Sequence, residues 1–453
     1  MIAIMVVDIK FSTLRFNAGA TGLLNSGSAP AYKAQVLLYN RALGYLQGHR
    51  PDLAFVLGRG WNRTQKGVVT RSDDCMDQLG PVRMDEEYRH ETWEVHADRA
   101  VEWIRRMRCD GADWEAVPAT VEELRPNVKG TPGYWKSAVE HIAVETEDLT
   151  RLWGVGVGKR REANRAGLFR WTDPRVTPET LNMGGNTART LSALLTVNRQ
   201  PDAPVVLPQG IRSARSEWID TPEVEFYVDF ENVSDLDDDF AQFPKKNGQP
   251  LIFMIGCGHI EMGEWRYECF IADQLTEPDE ANIVEAWLAH MNSVRDRIDP
   301  DGSPKVIHWS AAESSSLETA YNSARNRQPS RQKEWANPNW FDFLTRVMRA
   351  EPVAVRGCFG FGLKPVTNAL YRHGLVNCRW GDGPADGLGA MVGAWWCQNQ
   401  INQGRARRLV DIELMQEIRA YNEVDCRAMM ESITYFRTIG ADQPKPINGT
   451  TGK

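Results

Sequence analysis

The chain has no C-x-x-C pair. Its eight cysteines, at 75, 109, 257, 269, 358, 378, 397 and 426, are scattered along 453 residues. That argues against an iron–sulfur cluster or a structural zinc site and for free, mostly buried thiols in a reducing cytosol. It also lacks any apolar run near the roughly 20 residues that a membrane-spanning helix requires. The opening Met-Ile-Ala-Ile-Met-Val-Val is interrupted at once by Asp8 and Lys10, too early for a signal peptide or a span. A cytoplasmic protein with no membrane partner is therefore expected. Positive charge is not in excess either. The formal charge of −7 argues against coating nucleic acid through overall charge, leaves room for a local basic channel, and is what a cluster of metal-binding carboxylates would contribute to. No internal repeat recurs at a fixed period.

What is present reads as a globular protein, with 42% apolar and 25% charged residues. Such a length exceeds one ordinary core, so a multidomain α/β chain is expected. Residues 2–9 predict a buried strand with no element ahead to pair with it, and a Gly/Ser loop and a helix through Ala34, Leu37, Leu38, Ala42 and Leu46 follow. Leu53–Leu57 predicts a second strand stopped by Gly58 and Gly60. From about Glu91 to Arg199 the periodicity is helical, with Val95, Ala100, Trp103 and Ile104 on one helix and Trp135, Ala138, Val139 and Ile142 on another. Beyond 222 strands are expected at 224–230, 251–257, 265–271 and 305–309. Helices are expected at 281–297, 314–326, 340–350, 365–373, 385–402 and 411–438. Residues 441–453 predict a disordered tail.

Three carboxylate motifs stand in order in the last of these regions. Asp229-Phe-Glu231 on a strand puts two carboxylates on one face, because strand side chains alternate with period 2. Lys305-Val-Ile-His-Trp-Ser-Ala-Ala-Glu313 reads as a strand running into a helix. Tyr421-x-x-x-Asp425 on a helix puts a phenol and a carboxylate one turn apart. Either pair alone also fits a solvated surface; the ordered set, each member in strand or helix context, is what carries weight. Converging acidic oxygens suit hard divalent cations. Asp342, in Trp-Phe-Asp-Phe-Leu, competes with Glu313 but fits better as a cap or support of the next helix, and His308 fits a packed strand residue.

Residues 222–438 resemble a DnaQ-like exonuclease domain on the RNase H fold, a mixed sheet with flanking helices. The resemblance implies two ions, Mg²⁺ or Mn²⁺, with Asp229 bridging both, Glu231 and Asp425 each holding one, Glu313 acting through a water and Tyr421 orienting the attacking water. Glu313 stands where the family usually has Asp, a departure that keeps the charge and lengthens the reach. Gly360-Phe-Gly-Leu-Lys364 is similar to a segment preceding a helix in related domains, where Lys364 either touches a phosphate or is a surface lysine.

Residues 1–95 resemble part of a RecB-family nuclease lobe of the PD-(D/E)XK class. Asp8-Ile-Lys10 stands for the (D/E)-x-K pair and Gln35-x-x-x-Tyr39 for the Q-x-x-x-Y that follows it. No upstream acidic ligand is present, so a truncated, degenerate second site is expected. Residues 96–205 resemble a helical connector with a helix-hairpin-helix element. There Gly154 and Gly156 would let a turn approach a phosphate. Arg151, Lys159, Arg160, Arg161, Arg165 and Arg170 face only Glu162 between 151 and 170, which reads either as a phosphate-backbone contact or as a solvated basic helix face. The resemblance implies a divalent-metal-dependent nuclease acting on DNA ends or single strands, with nucleic acid as partner. Two alternatives stay open: a non-catalytic nucleic-acid-binding subunit with degenerate lobes, and an RNA-processing nuclease.

Overall fold

A computed structural model describes residues 4–441 apart from 67, 73, 131–132, 201, 235–249, 328–334 and 382–386. The chain divides into two compact units, Met1–Val121 and Glu122–Lys453. The division falls inside the 96–205 stretch expected as a connector. The expected tail lies outside the described residues from 442 onward. Both units mix helices and strands, and no described helix is long and apolar enough to cross a membrane. All eight cysteines are free.

In the first unit β1 (Val7–Phe16) lies parallel to β2 (Leu53–Gln65), and β2 pairs antiparallel with β3 (Val68–Ser72) and β4 (Gly80–Arg83). Helix α1 (Ala29–Gln47) connects β1 to β2, burying Val36 and Leu37. A two-stranded ribbon, β5 (Glu87–Tyr88) and β6 (Glu91–Thr92), leads into α2 (Trp93–Asp110), whose start is capped by the Thr92 hydroxyl accepting from the Val95 amide. Strand β2 does not stop at Gly58 and Gly60 as expected. A Cβ at Gly58 would stand 2.5 Å from Leu14 Cγ and 2.6 Å from the Ser12 carbonyl oxygen, so the glycine lets β1 close on β2 where the register shifts between Lys10 and Thr13. The expected face of α2 is also wrong. Trp93 and Ala97 are its buried residues, while Val95 and Ile104 are exposed.

The second unit opens with a helical segment, α3 (Gly133–Glu145), α4 (Val157–Arg165) and α5 (Gly185–Arg199). Its core is built on Leu149, Leu152, Val155, Ala163, Leu191 and Leu195. The expected apolar face of α3 stays largely outside; Ala143 alone is buried. After β7 (Val206–Leu207) and α6 (Arg215–Trp218) the chain enters a five-stranded mixed sheet. Strands β8 (Phe226–Val233), β9 (Leu251–Glu261) and β10 (Glu264–Ile271) form an antiparallel meander. Helix α7 (Glu277–Ile298) leads to β11 (Lys305–His308), and α8 (Ala312–Arg327) leads to β12 (Asn339–Asp342). The order is β10-β9-β8-β11-β12, with β11 parallel to both β8 and β12. Strand β13 (Ala354–Val355) pairs with β7, and α9 (Leu363–Arg372), α10 (Gly387–Asn402) and α11 (Glu413–Ala441) follow.

The helix expected over 340–350 is instead β12 followed by a π-helical turn, Leu344–Met348. Val306 pairs with Trp340 and Ile307 with Phe341, and these aromatic residues pack on opposite faces in strand fashion. Asp342 does support the next turn, accepting from the Thr345 amide at 2.9 Å.

Alternation along β8 decides what each face carries. Phe226, Val228 and Phe230 join the core that α7 covers, with Phe230 edge-on to Trp287 at 5.3 Å. Tyr227 points to the other core, with Met429, Ile433 and Phe436 of α11. Asp229 and Glu231 follow at the same parity. Arg437 ties the ends of this pair of elements together, donating to both oxygens of Glu225 at 2.6 and 2.8 Å. Tyr227 donates to the same carboxylate at 2.5 Å.

Candidate metal centre

Asp229 and Glu231 on β8 meet Asp425 on α11, and one ligand oxygen from each lies within 4.8 Å of the others. Among the described residues no second group of three such side chains converges. The local sequence explains the placement. Parity puts both β8 carboxylates on one face, and a register shift after Glu231 bends the strand end locally. On α11 the four-residue spacing brings the Tyr421 hydroxyl onto the Asp425 carboxylate in a hydrogen bond.

Burial pushes the Asp229 carboxyl well above the ordinary carboxylate range, and Asp425, Glu231 and Glu313 push it further. Glu231 rises to about 8, again through burial first and then Asp425. Burial lifts Asp425 to about 6, against hydrogen bonds from Trp380 and Tyr421 and the charge of Lys364. Lys364 is thus within electrostatic reach of all three acids. Its Nζ sits 4.5 Å from the Tyr421 ring centroid and 5.5 Å from that of Trp380.

Glu313 stands beside this group rather than within it. It lies in the first turn of α8, where the helix dipole favours an anion, and is buried. Its Oε2 is 3.3 Å from His308 Nδ1, but that nitrogen already meets the Ser310 carbonyl. Glu313 Oε2 is left with no hydrogen-bond partner. Three carboxylates with raised pKa values and a fourth buried oxygen without a donor form an all-oxygen donor set deficient in positive charge, which fits a hard divalent cation.

Sequence reasoning missed three residues that hold the acids in place. Asn422 donates to Asp229 Oδ2 at 2.8 Å and accepts from the Tyr267 hydroxyl at 2.9 Å. Gly256, opposite Asp229 in the ladder, makes this possible, since a Cβ there would come within 1.7 Å of Asn422 Oδ1. Trp380 donates to Asp425 Oδ1 at 3.0 Å. Asn422 sits inside the Tyr421–Asp425 motif and could have been found from its position; Trp380 carried no local signal.

The glycine-rich turn keeps only part of its expected role. Gly154 has φ +75°, which accounts for a glycine there, and Gly156 caps α4 with open space around it. Arg160 was expected to face phosphates, but it is 2% exposed. It contacts the Pro126 carbonyl, Glu122 at 3.2 Å and Asp148 at 3.7 Å. It shares the inward face of α4 with Ala163, three residues on. Lys159 closes a loop by donating to the Leu181 and Asn182 carbonyls at 2.9 and 3.0 Å. Arg161 remains largely exposed, 3.7 Å from Glu122.

In the first unit the four residues singled out by spacing do come together. Asp8 Oδ2 lies 3.0 Å from Lys10 Nζ, Lys10 donates to Gln35 Oε1 at 2.6 Å, and Gln35 Nε2 donates to the Tyr39 hydroxyl at 2.5 Å. The array is neutral within itself: its one carboxylate already has its cation. Comparison with protein-family models, with curated proteins and with solved structures found no match to this chain.

Proposed function

We propose that the second unit is a divalent-metal-dependent nuclease on an RNase H-like, DnaQ-type sheet, hydrolysing phosphodiester bonds. The observation that carries this reading is the convergence of Asp229, Glu231 and Asp425 within 4.8 Å, with Lys364 the cation that acts on all three among the described residues. Asp229, Glu231 and Asp425 would hold Mg²⁺ or Mn²⁺, with Glu313 acting through a water. When bound, such ions activate water and stabilise the leaving oxygen of an in-line displacement. The chain's own groups do the rest. Asn422 fixes the Asp229 carboxylate, and Trp380 and Tyr421 fix that of Asp425. The Tyr421 hydroxyl, whose pKa burial and the carboxylates raise, stays protonated and available to orient a water. Lys364 supplies positive charge next to the acids, where a scissile phosphate would sit. DNA is the expected substrate.

The first unit's array resembles a PD-(D/E)XK site in its residues, yet we assign it no cleavage, because Lys10 offsets the charge of its one carboxylate and no further acidic ligands converge there among the described residues. The test is hydrolysis of end-labelled DNA and RNA strands with Mg²⁺ or Mn²⁺ by the intact chain and by Asp229→Asn. Cleavage abolished in a folded Asp229→Asn protein is the expected result; equal cleavage by both proteins overturns the reading.

A further inference from the structure

The outward ridge of α9 starts beside the carboxylates and ends at Arg372, which reaches the Gly357 carbonyl. Val366, Thr367, Ala369 and Leu370 face the core, which leaves Lys364, Asn368, Tyr371 and Arg372 along the other side at i, i+4, i+7 and i+8. Lys364 is at the acid end. Tyr371 and Arg372 are exposed at the far end, roughly 12 Å along the axis at 1.5 Å per residue. Arg379, one residue before the Trp380 that holds Asp425, lies with its guanidinium 5.6 Å from the Tyr371 ring.

Arg151 continues the line. Its guanidinium lies 4.6 Å over the Phe359 ring; burial lowers its pKa, Glu147 opposes that, and the charge of Arg372 is the smallest of the three influences. Arg151 closes the 3-10 turn Leu149–Arg151 just ahead of Gly154. The helical segment is held in register with α9 through this region. Phe359 packs on Trp171 at 4.9 Å, Asn198 bonds both the Gly357 amide and the Cys358 carbonyl, and Arg372 donates to the Gly357 carbonyl at 3.0 Å.

We infer that this ridge is the track along which a single polynucleotide strand enters the carboxylate site, its phosphates on Lys364, Arg379, Arg372 and Arg151 and a base stacked on Tyr371. The inference rests on the nuclease reading and specifies how its substrate is held. In a chain of net charge −7, a line of cations interleaved with an exposed aromatic ring, ending at acids that attract divalent metal, matches a polyanion with π faces. Contacts of this kind read backbone and stacking rather than sequence, so a strand of either sugar is accommodated.

Two substrates separate the track from the chemistry: a small chromogenic phosphodiester, the p-nitrophenyl ester of thymidine 5′-monophosphate, and a long labelled single strand, as DNA and as RNA. Binding of the strand is read by anisotropy over a NaCl series, with Ca²⁺ in place of Mg²⁺ to suppress cleavage. Arg151→Ala and Arg372→Ala are each expected to lower the log–log salt slope by about 0.7. Tyr371→Ala is expected to raise KM for the strand about tenfold, within the range for one lost base stack, with a much smaller loss on the ester. A slope unchanged in the Arg151→Ala, Arg372→Ala double variant overturns the track, whether or not the ester is hydrolysed. Wild-type protein that hydrolyses neither substrate overturns the nuclease reading and leaves the track to stand or fall on the calcium salt series.

Discussion

Asp229 and Asp8 both lie on strands with a second functional side chain two residues on, yet their surroundings are opposite. Around Asp229 the next charges are carboxylates. Glu231 and Asp425 stand within 4.8 Å, and burial drives the pKa values of all three upward, with Asp425 pushing Asp229 and Glu231 further and Glu313 acting on each of the three. Around Asp8 the next charge is Lys10 at 3.0 Å, itself bonded to Gln35. Glu225, close to Asp229 in sequence, follows the Asp8 pattern in a fully buried form, with Arg437 bidentate on it. The comparison separates an acid that contributes to the fold from one that destabilises it until something else arrives. A buried carboxylate with its cation in place is complete. A buried group of three acids on which, among the described residues, Lys364 alone acts as a cation lacks charge, and that deficit is a feature of binding sites rather than of cores.

The largest test removes the deficit. Asp229→Asn should abolish hydrolysis and at the same time raise the melting temperature of the metal-free protein. Burial and the neighbouring carboxylates disfavour the Asp229 anion, so removing its charge should move the melting temperature upward. Loss of activity accompanied by loss of stability would place Asp229 with Glu225 instead. Removing the other kind of acid should do the reverse. Glu225→Ala leaves Arg437 buried and unpaired and should cost about 3–5 kcal/mol in denaturant unfolding, whereas a cost below about 1 kcal/mol would mean that the ion pair is solvated.

Proton linkage gives a third handle. Glu231 and Asp425 have folded pKa values of about 8 and 6, above those of the unfolded chain. The unfolded state therefore loses these protons first, and the stability they contribute is complete below the ordinary carboxylate range and lost as pH rises through 6 and 8. Metal binds the ionised form. The melting-temperature increment from Mg²⁺ or Mn²⁺ over EDTA should consequently be larger at pH 8 than at pH 6, and an increment that shrinks with pH would contradict the assignment.

Two neighbouring arginines of α4 supply a smaller contrast. Arg160→Ala should destabilise the protein by about 3 kcal/mol, since it strips Asp148 and Glu122 of a buried partner. Arg161→Ala should leave unfolding unchanged within about 0.5 kcal/mol. The smallest effect belongs to the first unit. Lys10→Ala should leave hydrolysis by the intact chain unaltered, and residual cleavage by Asp229→Asn that disappears with Lys10→Ala would show that the Asp8 array is catalytic after all.

Local spacing carried the acids well. Asp229 and Glu231 share a face because strands alternate, and Tyr421 and Asp425 share one because helices repeat near four residues; neither statement needs a partner element. Most strand and helix positions beyond residue 222 were legible for the same reason. The helix expected at 340–350 failed because Trp340 and Phe341 pair with β11, a nonlocal contact that outweighs the periodicity of so short a stretch. The passage of β2 through Gly58 was hidden because a glycine that ends a strand and one that admits Leu14 look alike in sequence.

The sequence by itself determined which side chains could act together within one element: the Asp229–Glu231 pair, the Tyr421–Asp425 pair and the Gln35–Tyr39 pair. Tertiary structure alone decided which of these meet and in what charge state. It brought α11 across β8, with Gly256 making room for Asn422. It set Trp380 on Asp425, kept Glu313 beside the group rather than in it, and turned Arg160 inward while leaving Arg161 outside. The physical reason is that spacing fixes direction within an element, whereas burial and repulsion are sums over neighbours contributed by distant parts of the chain.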